Sequence, residues 1–399
     1  MSLTNTPSSE RVHIGFFGLR NAGKSSLVNA VTNQEISIVS DVLGTTTDPV
    51  KKAMELLPLG PVVIIDTPGF DDTGTLGEMR VRKTRKVLAS VDIAVLVVDS
   101  AKGIGEDDTT LINLFKERNI PYVIAYNKFD LAEISPKESN EILVSAKDKI
   151  NINELRELIG KLYNSDKEKY ILADLVEKGD TVILVTPIDA SAPKGRLILP
   201  QVQTLRELLD LHCPALVCQP EELSSAICNL KDNPRLVVTD SQVFGKVSKD
   251  VPADIALTSF SILFARYKGD LNALVQGAST LKNLKDGDKV LISEGCTHHR
   301  QCGDIGTVKL PNWIKEYTGK DITFEFTSGG DFPEDLSSYA LVVHCGGCML
   351  NSREMAYRIN SAKAEGVPIV NYGVLIAHIH GILKRSLSPF ESLAAMLED

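Results

Sequence analysis

The chain has 399 residues, of which 43% are hydrophobic and 24% are charged, and its formal net charge is −9. One hydrophobic core seldom organises a chain of this length, so we expect two or three domains. The ordinary composition excludes a largely disordered chain, and the acidic balance excludes a basic nucleic-acid footprint at the level of the whole chain.

The sequence shows no membrane or secretory segment. No uninterrupted apolar run approaches the roughly 20 residues that cross a bilayer, and the N-terminus lacks a charged start followed by an apolar stretch. The cysteine count of seven is odd, which argues against a disulfide framework in a chain without an export signal. We therefore expect a cytoplasmic protein that binds no membrane.

Residues 11–165 alternate apolar runs with amphipathic stretches. The runs VHIGFFG, VVIIDTPG, IAVLVVDS and PYVIAYNKFD predict buried parallel strands, and TTLINLFKERNI and INELRELIGKLY predict helices. This repeated strand–helix order predicts an α/β doubly wound sheet over residues 1–168.

A second alternation follows a charged segment, NSDKEKYILADLVEKGD, which predicts a connecting helix. Strands are predicted in TVILVTPID, PALVCQ and RLVVTD, and helices in PQVQTLRELLDLH, PEELSSAICNL and near DIALTSFSILFARY. No nucleotide motif occurs here, so we interpret residues 175–268 as a smaller α/β module for structure or oligomerisation.

The third region, residues 270–399, is also predicted to be α/β. KVLISEGCTHH and ALVVHCGGCML predict strands followed by loops, and VPIVNYG predicts a further strand. NSREMAYRINSAKAEG predicts a helix capped by Asn351 or Ser352 and stopped by Gly366. The clustered cysteines thus follow strands, where open α/β sheets place ligands.

The run GLRNAGKS fits the phosphate-binding pattern G-x-x-x-x-G-K-S between a predicted strand and helix. Its glycines let backbone N–H groups turn onto phosphates, Lys24 adds positive charge, and the Ser25 hydroxyl binds Mg²⁺. The predicted phosphate-binding residues are Gly18, Asn21, Ala22, Gly23, Lys24, Ser25 and Ser26.

Two further motifs identify the base as guanine. In NKFD, the Asp130 carboxylate accepts hydrogen bonds from N1–H and the amine of guanine, whereas adenine offers the opposite pattern at N1. Asn127 and Lys128 of this motif, with Ser145 and Ala146 of SAK, complete the predicted pocket.

The motifs DTPG and GTTTD are predicted to respond to the γ-phosphate. Asp66 is placed near the Mg²⁺ ion, and GTTTD supplies a switch threonine. Together, these motifs predict a P-loop GTPase that binds GTP and Mg²⁺.

The run NAGKSSLVNA in this first domain resembles GTPases of the Era and MnmE type. The resemblance implies that Thr46 is the switch residue, that Asn21 helps to hold K⁺, and that Glu78 positions water. Thr47 stands where MnmE-type proteins usually have Arg, and Phe70 stands where Ras-type enzymes have Gln. We expect slow, potassium-stimulated hydrolysis, with a catalytic set of Lys24, Thr46, Asp66, Gly69 and Glu78.

A cysteine–histidine constellation lies in the third region: CTHH supplies Cys296 and His298, and HCGGC supplies His344, Cys345 and Cys348. Three interpretations compete, namely a thioredoxin-like redox pair, a structural zinc site and an iron–sulfur cluster with three cysteine ligands. The chemistry favours a metal over a redox pair and leaves zinc and iron–sulfur open.

The pattern C-x-H followed by H-C-x-x-C, attached to an N-terminal GTPase, resembles the HydF family of FeFe-hydrogenase maturation GTPases. The resemblance implies a 4Fe-4S cluster on Cys296, Cys345 and Cys348, with His298, His344, a carboxylate or an exogenous group as fourth ligand. It also implies a homodimer that carries the diiron precursor from the radical-SAM maturases HydE and HydG to the FeFe-hydrogenase apo-protein.

Two functions of other classes compete with this one. A ribosome- or tRNA-associated GTPase would use a structural zinc site, but the chain lacks a basic, aromatic-interleaved segment, so we expect no nucleic-acid partner. A thiol oxidoreductase fused to a switch would bind neither iron nor zinc. Metal content therefore separates the three.

Overall fold

A computed structural model describes residues 6–33, 49–69, 83–131, 138–163, 169–188, 197–295 and 304–395. The chain divides into two compact units, Met1–Glu168 and Lys169–Asp399, and each is considered by itself. Among the described residues, none of the helices combines the length and apolar character needed to span a bilayer.

The first unit contains a six-stranded sheet in the order β2-β3-β1-β4-β5-β6. Among these described strands, β2 and β3 pair antiparallel and the other neighbours are parallel. The strands are β1 (Val12–Phe17), β2 (Val50–Leu56), β3 (Gly60–Asp66), β4 (Ile93–Asp99), β5 (Tyr122–Asn127) and β6 (Glu141–Val144).

Helices cover both faces of this sheet. They are α1 (Lys24–Thr32), α2 (Glu106–Glu117) and α3 (Ile152–Leu162), and residues 83–88 are also helical. Phe16 packs with Leu27 in the core on one face, whereas Phe17 packs with Phe115 in the core on the other. Because both faces are buried, the inner strands β1, β3, β4 and β5 are largely apolar runs, whereas the edge strand β2 is partly exposed. The predicted α/β doubly wound fold is confirmed.

The second unit begins with a parallel sheet in the order β10-β9-β7-β8. Its strands are β7 (Val182–Val185), β8 (Ala215–Cys218), β9 (Leu236–Thr239) and β10 (Ala256–Ser259). Its helices are α4 (Leu199–Asp210), α5 (Leu223–Cys228), α6 (Phe244–Asp250) and α7 (Phe260–Lys268).

One prediction in this region is wrong, and a second, the helix near DIALTSFSILFARY, is confirmed only in its later part. Residues 169–181 form turns and bends where a connecting helix was expected, because the Glu207 carboxylate accepts the N–H groups of residues 171–173 at 3.0–3.1 Å. The stretch near DIALTSF contains strand β10, and helix α7 begins only at Phe260. The Ser259 hydroxyl caps that helix by accepting the N–H of Ile262 at 3.3 Å.

A third sheet is parallel throughout, in the order β12-β11-β13-β14. Its strands are β11 (Lys289–Glu294), β12 (Thr323–Ser328), β13 (Leu341–His344) and β14 (Ile369–Asn371). The remaining helices are α8 (Leu271–Ser279), α9 (Leu310–Thr318), α10 (Ser352–Ala364), α11 (Tyr372–Ile379), α12 (Leu383–Ser386) and α13 (Glu391–Ala395).

The ends of helix α10 match the sequence expectation. The Asn351 side chain, rather than that of Ser352, accepts the N–H of Glu354 at 3.0 Å. Gly366 has φ +70° just after the helix, a left-handed conformation that glycine adopts without strain. The cap and the stop were therefore correctly predicted.

One hydrophobic core joins the second and third sheets. It contains Leu184 and Leu236 of the second sheet, Phe264 of helix α7, and Leu291 and Val342 of the third sheet. The predicted boundary between 175–268 and 270–399 thus falls within a shared core, and the three-domain division stays a prediction.

Candidate nucleotide and metal sites

The phosphate-binding loop connects β1 to α1. Gly18 has φ +138° and Gly23 has φ +88°, both in the left-handed range. A Cβ atom at Gly18 would collide with the carbonyl oxygen of Val97, and one at Gly23 with the side-chain amide of Asn127. The motif glycines are therefore required by backbone conformation and by close packing.

Lys24, Ser25 and Asp66 form the polar centre of this loop. Lys24 is buried, and its Nζ donates to the carbonyls of Gly18 at 2.9 Å and Leu19 at 2.7 Å. The Ser25 hydroxyl donates to Asp66 Oδ2 at 2.7 Å, while buried Asp66 Oδ1 has no partner among the described residues. A hydroxyl beside an unsatisfied carboxylate oxygen suits Mg²⁺, which prefers oxygen ligands.

The guanine motifs are tied to the phosphate-binding loop by hydrogen bonds. Asn127 Nδ2 donates to the Ala22 carbonyl at 3.0 Å, and Asn127 Oδ1 accepts the N–H of Ala146 at 3.0 Å. Lys128 Nζ donates to the Asn21 carbonyl at 2.7 Å. One asparagine thus links three predicted site elements.

The remaining residues of the guanine pocket are placed at its edge. Asp130 lies in the short 3-10 helix Phe129–Leu131 with its side chain exposed. Ser145 is buried at the end of β6, and its hydroxyl donates to Asp148 Oδ2 at 2.9 Å. Asp130 is therefore open to a base, while Ser145 orders the loop behind it.

Asp99 is a site residue that the sequence interpretation missed. It ends β4 beside β5, and its carboxylate pairs with Lys128 Nζ at 2.7 Å. Burial acts to raise the pKa of Asp99, but the hydrogen bonds from Lys128 and the Ala101 N–H, with the charges of Lys128 and Lys102, together hold that pKa below its usual value. Its position at the carboxyl end of a central strand was the available signal.

Gly69 of DTPG packs against the phosphate-binding loop. A Cβ atom at this position would lie 3.1 Å from the backbone nitrogen of Arg20 and 3.2 Å from its Cα and Cβ. The close approach favours glycine here. The switch residues Thr46 and Glu78 lie outside the described residues.

The cysteine loop lies at the switch point of the third sheet, between β11 and β13. The N–H of Cys345 donates to the Ser293 carbonyl at 3.0 Å, and its sulfur accepts N–H groups from Gly295 at 3.0 Å and Gly347 at 3.4 Å. Gly295 directly precedes Cys296 in the sequence. Chain neighbours of all three cysteines are thus brought together at one edge of the sheet.

Lys268 supports the Cys348 end of this loop. Lys268 is 1% exposed, and its Nζ donates to the carbonyls of Leu350 at 3.1 Å and Cys348 at 3.4 Å. Burial raises the pKa of the Cys348 thiol, and the Lys268 charge opposes that rise. No sequence motif pointed to this lysine, which ends helix α7.

His344 is fully buried beneath the loop. Its Nδ1 lies 2.6 Å from the Cys345 carbonyl, and its Nε2 lies 3.0 Å from Arg358 Nη1. Because arginine only donates, Nε2 accepts and Nδ1 carries the proton. Burial and the Arg358 charge lower the pKa of His344 to about 3. Both ring nitrogens are engaged within the protein, so we leave His344 out of the proposed metal ligands.

Arg358 anchors this buried network from helix α10. It is 1% exposed and donates to Ser293 Oγ at 3.2 Å, to Glu354 Oε1 at 2.6 Å and to the Gly329 carbonyl at 2.6 Å. Sequence reasoning missed it, because an arginine within an amphipathic helix gives no sign of burial.

The predicted metal ligands lie only partly within the described residues. Those residues contain no group of three or more His, Cys, Asp or Glu side chains able to hold a metal ion. Cys296 and His298 lie outside them. Cys345 and Cys348 form no disulfide within the described residues, and the two N–H groups directed at the Cys345 sulfur suit a thiolate ligand.

Two curated GTPases are each about a third identical to part of the chain. GTPase Der of a Nitratiruptor species is 31% identical over 174 residues, covering 39% of this chain and 37% of the relative. The tRNA modification GTPase MnmE of Nitrosomonas europaea is 33% identical over 129 residues, covering 32% of this chain and 28% of the relative. The chain therefore spans about a third of the length of these relatives.

Solved GTPase structures are also similar to the chain. A probable GTP-binding protein engB is 24% identical, with TM-score 0.32, covering 38% of this chain and 98% of that one. Aquifex aeolicus Era is 16% identical, with TM-score 0.34, covering 80% and 94%.

The phosphate-binding loop, the Asn127 contacts and the sheet order define a P-loop GTPase. Residues 13–128 match the family model of the 50S ribosome-binding GTPase, which supports a GTPase domain in the first unit. Residues 171–269 match the Hydrogen maturase F dimerization domain, and residues 272–389 match its tetramerization domain. Together, these two matches cover more than half of the chain. The chain belongs to the hydrogen maturase F (HydF) family. The dimerization and tetramerization matches also support self-association.

Proposed function

We propose that the chain is an iron–sulfur scaffold that carries the diiron precursor of the FeFe-hydrogenase active site, with GTP binding and hydrolysis gating its encounters with partners. The observation that carries this proposal is the Cys345 sulfur, which accepts N–H bonds from Gly347 and from Gly295, the residue before Cys296. Such N–H···S bonds stabilise thiolate ligands of a cluster.

The proposed cluster ligands are Cys296, Cys345 and Cys348, with the fourth position left for His298, a carboxylate or an exogenous group. When bound, a 4Fe-4S cluster would supply an attachment point for the diiron unit. The protein's part is to order the loop. Lys268 holds the carbonyl of Cys348, and buried His344 holds that of Cys345.

The proposed partners follow from the family. The radical-SAM maturases HydE and HydG would supply the diiron unit, and the FeFe-hydrogenase apo-protein would receive it. Residues 171–269 match a dimerization model, which supports a homodimer. Each nucleotide state of the GTPase can favour a different partner. The nucleotide cycle would therefore give a physical basis for receiving the diiron unit from one partner before passing it to the other.

In the proposed GTPase cycle, Lys24 neutralises phosphate charge, and Ser25, Thr46 and Asp66 hold or orient Mg²⁺. Gly69 senses the γ-phosphate. Glu78 positions water, and Asn21 helps to bind a K⁺ ion, so hydrolysis is expected to be faster in KCl than in NaCl. Equal rates in the two salts would remove Asn21 from that role.

The test of the scaffold proposal is the iron, sulfide and zinc content of the anaerobically purified protein, with EPR of the dithionite-reduced sample. We expect about four iron and four sulfide per chain, in keeping with one 4Fe-4S cluster. Cys345→Ala should lose the reduced-cluster signal and hydrogenase maturation, but keep GTP turnover.

Two outcomes would contradict the proposal. Stoichiometric zinc without a cluster signal would favour a GTPase with a structural zinc site, acting on the ribosome or tRNA. Equal loss of GTP turnover and maturation in Cys345→Ala would show that the two sites are not separable. Cys228→Ala is the matched control, because Cys228 is an exposed thiol remote in sequence from the loop.

A further inference from the structure

We propose that Arg20 is a further catalytic residue of the GTPase, an arginine supplied in cis that stabilises the charge developing on the γ-phosphate during hydrolysis. Arg20 is the third residue of GLRNAGKS. Together with Lys24 it provides the positive side chains of this motif. The roles of the two are separable, because they differ in burial and in their partners.

The first observation is the contact between Arg20 and the γ-phosphate sensor. A Cβ atom on Gly69 would lie 3.2 Å from both Cα and Cβ of Arg20. The Arg20 side chain therefore starts directly beside the last residue of DTPG. This motif belongs to the segment that P-loop GTPases order through contact with the γ-phosphate.

The second observation is that the backbone around Arg20 is held from both sides. Lys24 Nζ binds the carbonyls of Gly18 and Leu19, which precede it. Lys128 Nζ binds the carbonyl of Asn21, which follows it. The backbone of Arg20 is thus fixed by hydrogen bonds on both sides. A fixed backbone limits the positions that the guanidinium can reach, and preorganised charge stabilisation requires such a limit.

The third observation concerns the guanidinium itself. Arg20 is half-buried, and the hydrogen bonds and ion pairs found within the described ranges do not include its side chain. Lys24, in contrast, is buried and already occupied by two carbonyls. A planar donor group held near a phosphate site can bind two phosphate oxygens at once.

Arg20 would supply charge stabilisation, which is a different task from the water positioning proposed for Glu78. Phe70 follows Gly69, and a phenyl ring cannot orient water as glutamine does. In the hydrolysis step, a water oxygen bonds to the γ-phosphorus while the bond to the β–γ bridging oxygen breaks. The electron pair of the broken bond leaves with GDP, and one proton of the attacking water passes to the released phosphate. Arg20 stabilises the negative charge on the γ-phosphoryl and bridging oxygens throughout.

The experiment compares Arg20→Ala and Arg20→Lys with the unmodified chain at saturating GTP in KCl. We expect kcat of Arg20→Ala to fall roughly 30-fold, the factor that separates GTPases with a cis arginine from those without one. The dissociation constant for GTP should change by less than about threefold, since ground-state binding rests mainly on the loop backbone and Lys24. Arg20→Lys should keep part of the rate, because lysine retains the positive charge but lacks the paired N–H donors of the guanidinium.

Two readouts separate a catalytic role from a structural one. Guanidinium ion added to Arg20→Ala should restore part of kcat, and binding of GDP with aluminium fluoride should be lost while binding of GDP alone is kept. Lys116→Ala, an exposed charge removal on helix α2, is the control and should match the unmodified chain. An unchanged kcat, or parallel loss of GDP binding and kcat, would overturn the proposal.

Discussion

Asn127 and Asp130 belong to the same motif, NKFD, but have different roles. Asn127 is 2% exposed and ties the Ala22 carbonyl to the N–H of Ala146, so it builds the pocket. Asp130 is exposed and has both carboxylate oxygens available for a base. The structure thus separates a buried residue that positions the loops from an exposed residue that is predicted to select guanine.

The Asp130→Asn variant tests that selection. An amide cannot accept two hydrogen bonds from guanine, but it can donate to the C2 carbonyl of xanthine. We expect kcat/KM for GTP to fall about 10²-fold, the value of a charge-assisted hydrogen bond of about 3 kcal/mol. Turnover of xanthosine triphosphate should rise. Steady-state assays with both nucleotides measure this. Asp107→Asn, an exposed carboxylate on helix α2, should alter neither rate.

At the scale of single elements, helix α4 organises the entry to the second unit. Glu207 accepts N–H groups from Ile171, Leu172 and Ala173, so one carboxylate takes up three consecutive backbone donors. Ile171 and Leu172 are buried in the adjoining core. Tertiary contact therefore overrides the helical pattern of this segment.

Glu207→Ala should destabilise the second unit by about 1–3 kcal/mol, because three backbone donors lose their charged acceptor. Urea unfolding followed by circular dichroism measures the change. Asp210→Ala is the matched control, since Asp210 forms an exposed ion pair with Arg206 on the same helix, and its removal should leave the urea midpoint close to that of the unmodified chain. Equal losses for the two variants would show that Glu207 does not hold the segment.

At the scale of the whole molecule, the shared core predicts that the second and third sheets unfold together. Phe264, which is 2% exposed, lies in that core with Leu184 and Leu291. Buried cysteine Cys213 reports on the second sheet, and Trp313, the single tryptophan of the chain, packs against the core beside the third sheet. Loss of either sheet exposes the apolar face of the other.

We expect Trp313 fluorescence and the thiol reactivity of Cys213 to change at the same urea concentration in the intact chain. Phe264→Ala should lower both midpoints, because it should reduce the free energy of unfolding by about 3–5 kcal/mol. Tyr163→Ala, at an exposed position of the first unit, should lower neither. Two separate transitions would instead support independent domains at 175–268 and 270–399.

Much of the nucleotide site could be predicted from the sequence because its parts are local. Gly18 and Gly23 are needed for left-handed backbone within a single loop, and Lys24 and Ser25 follow in the same motif. Continuous apolar runs identified the buried parallel strands, since both faces of the first sheet are covered. The cap at Asn351 was visible for the same reason, because it bonds only a few residues ahead, to Glu354.

The sequence by itself therefore determined the fold class, the P-loop, the guanine motifs and the position of the cysteines after strands. Only the tertiary structure decided what supports them. Lys268 reaches Cys348 across 80 positions, and Arg358 meets His344 from another element. Short-range patterns depend on backbone geometry that a few residues dictate. Buried charges and shared cores depend instead on which distant segments pack together, and that pairing leaves no periodic mark in the chain.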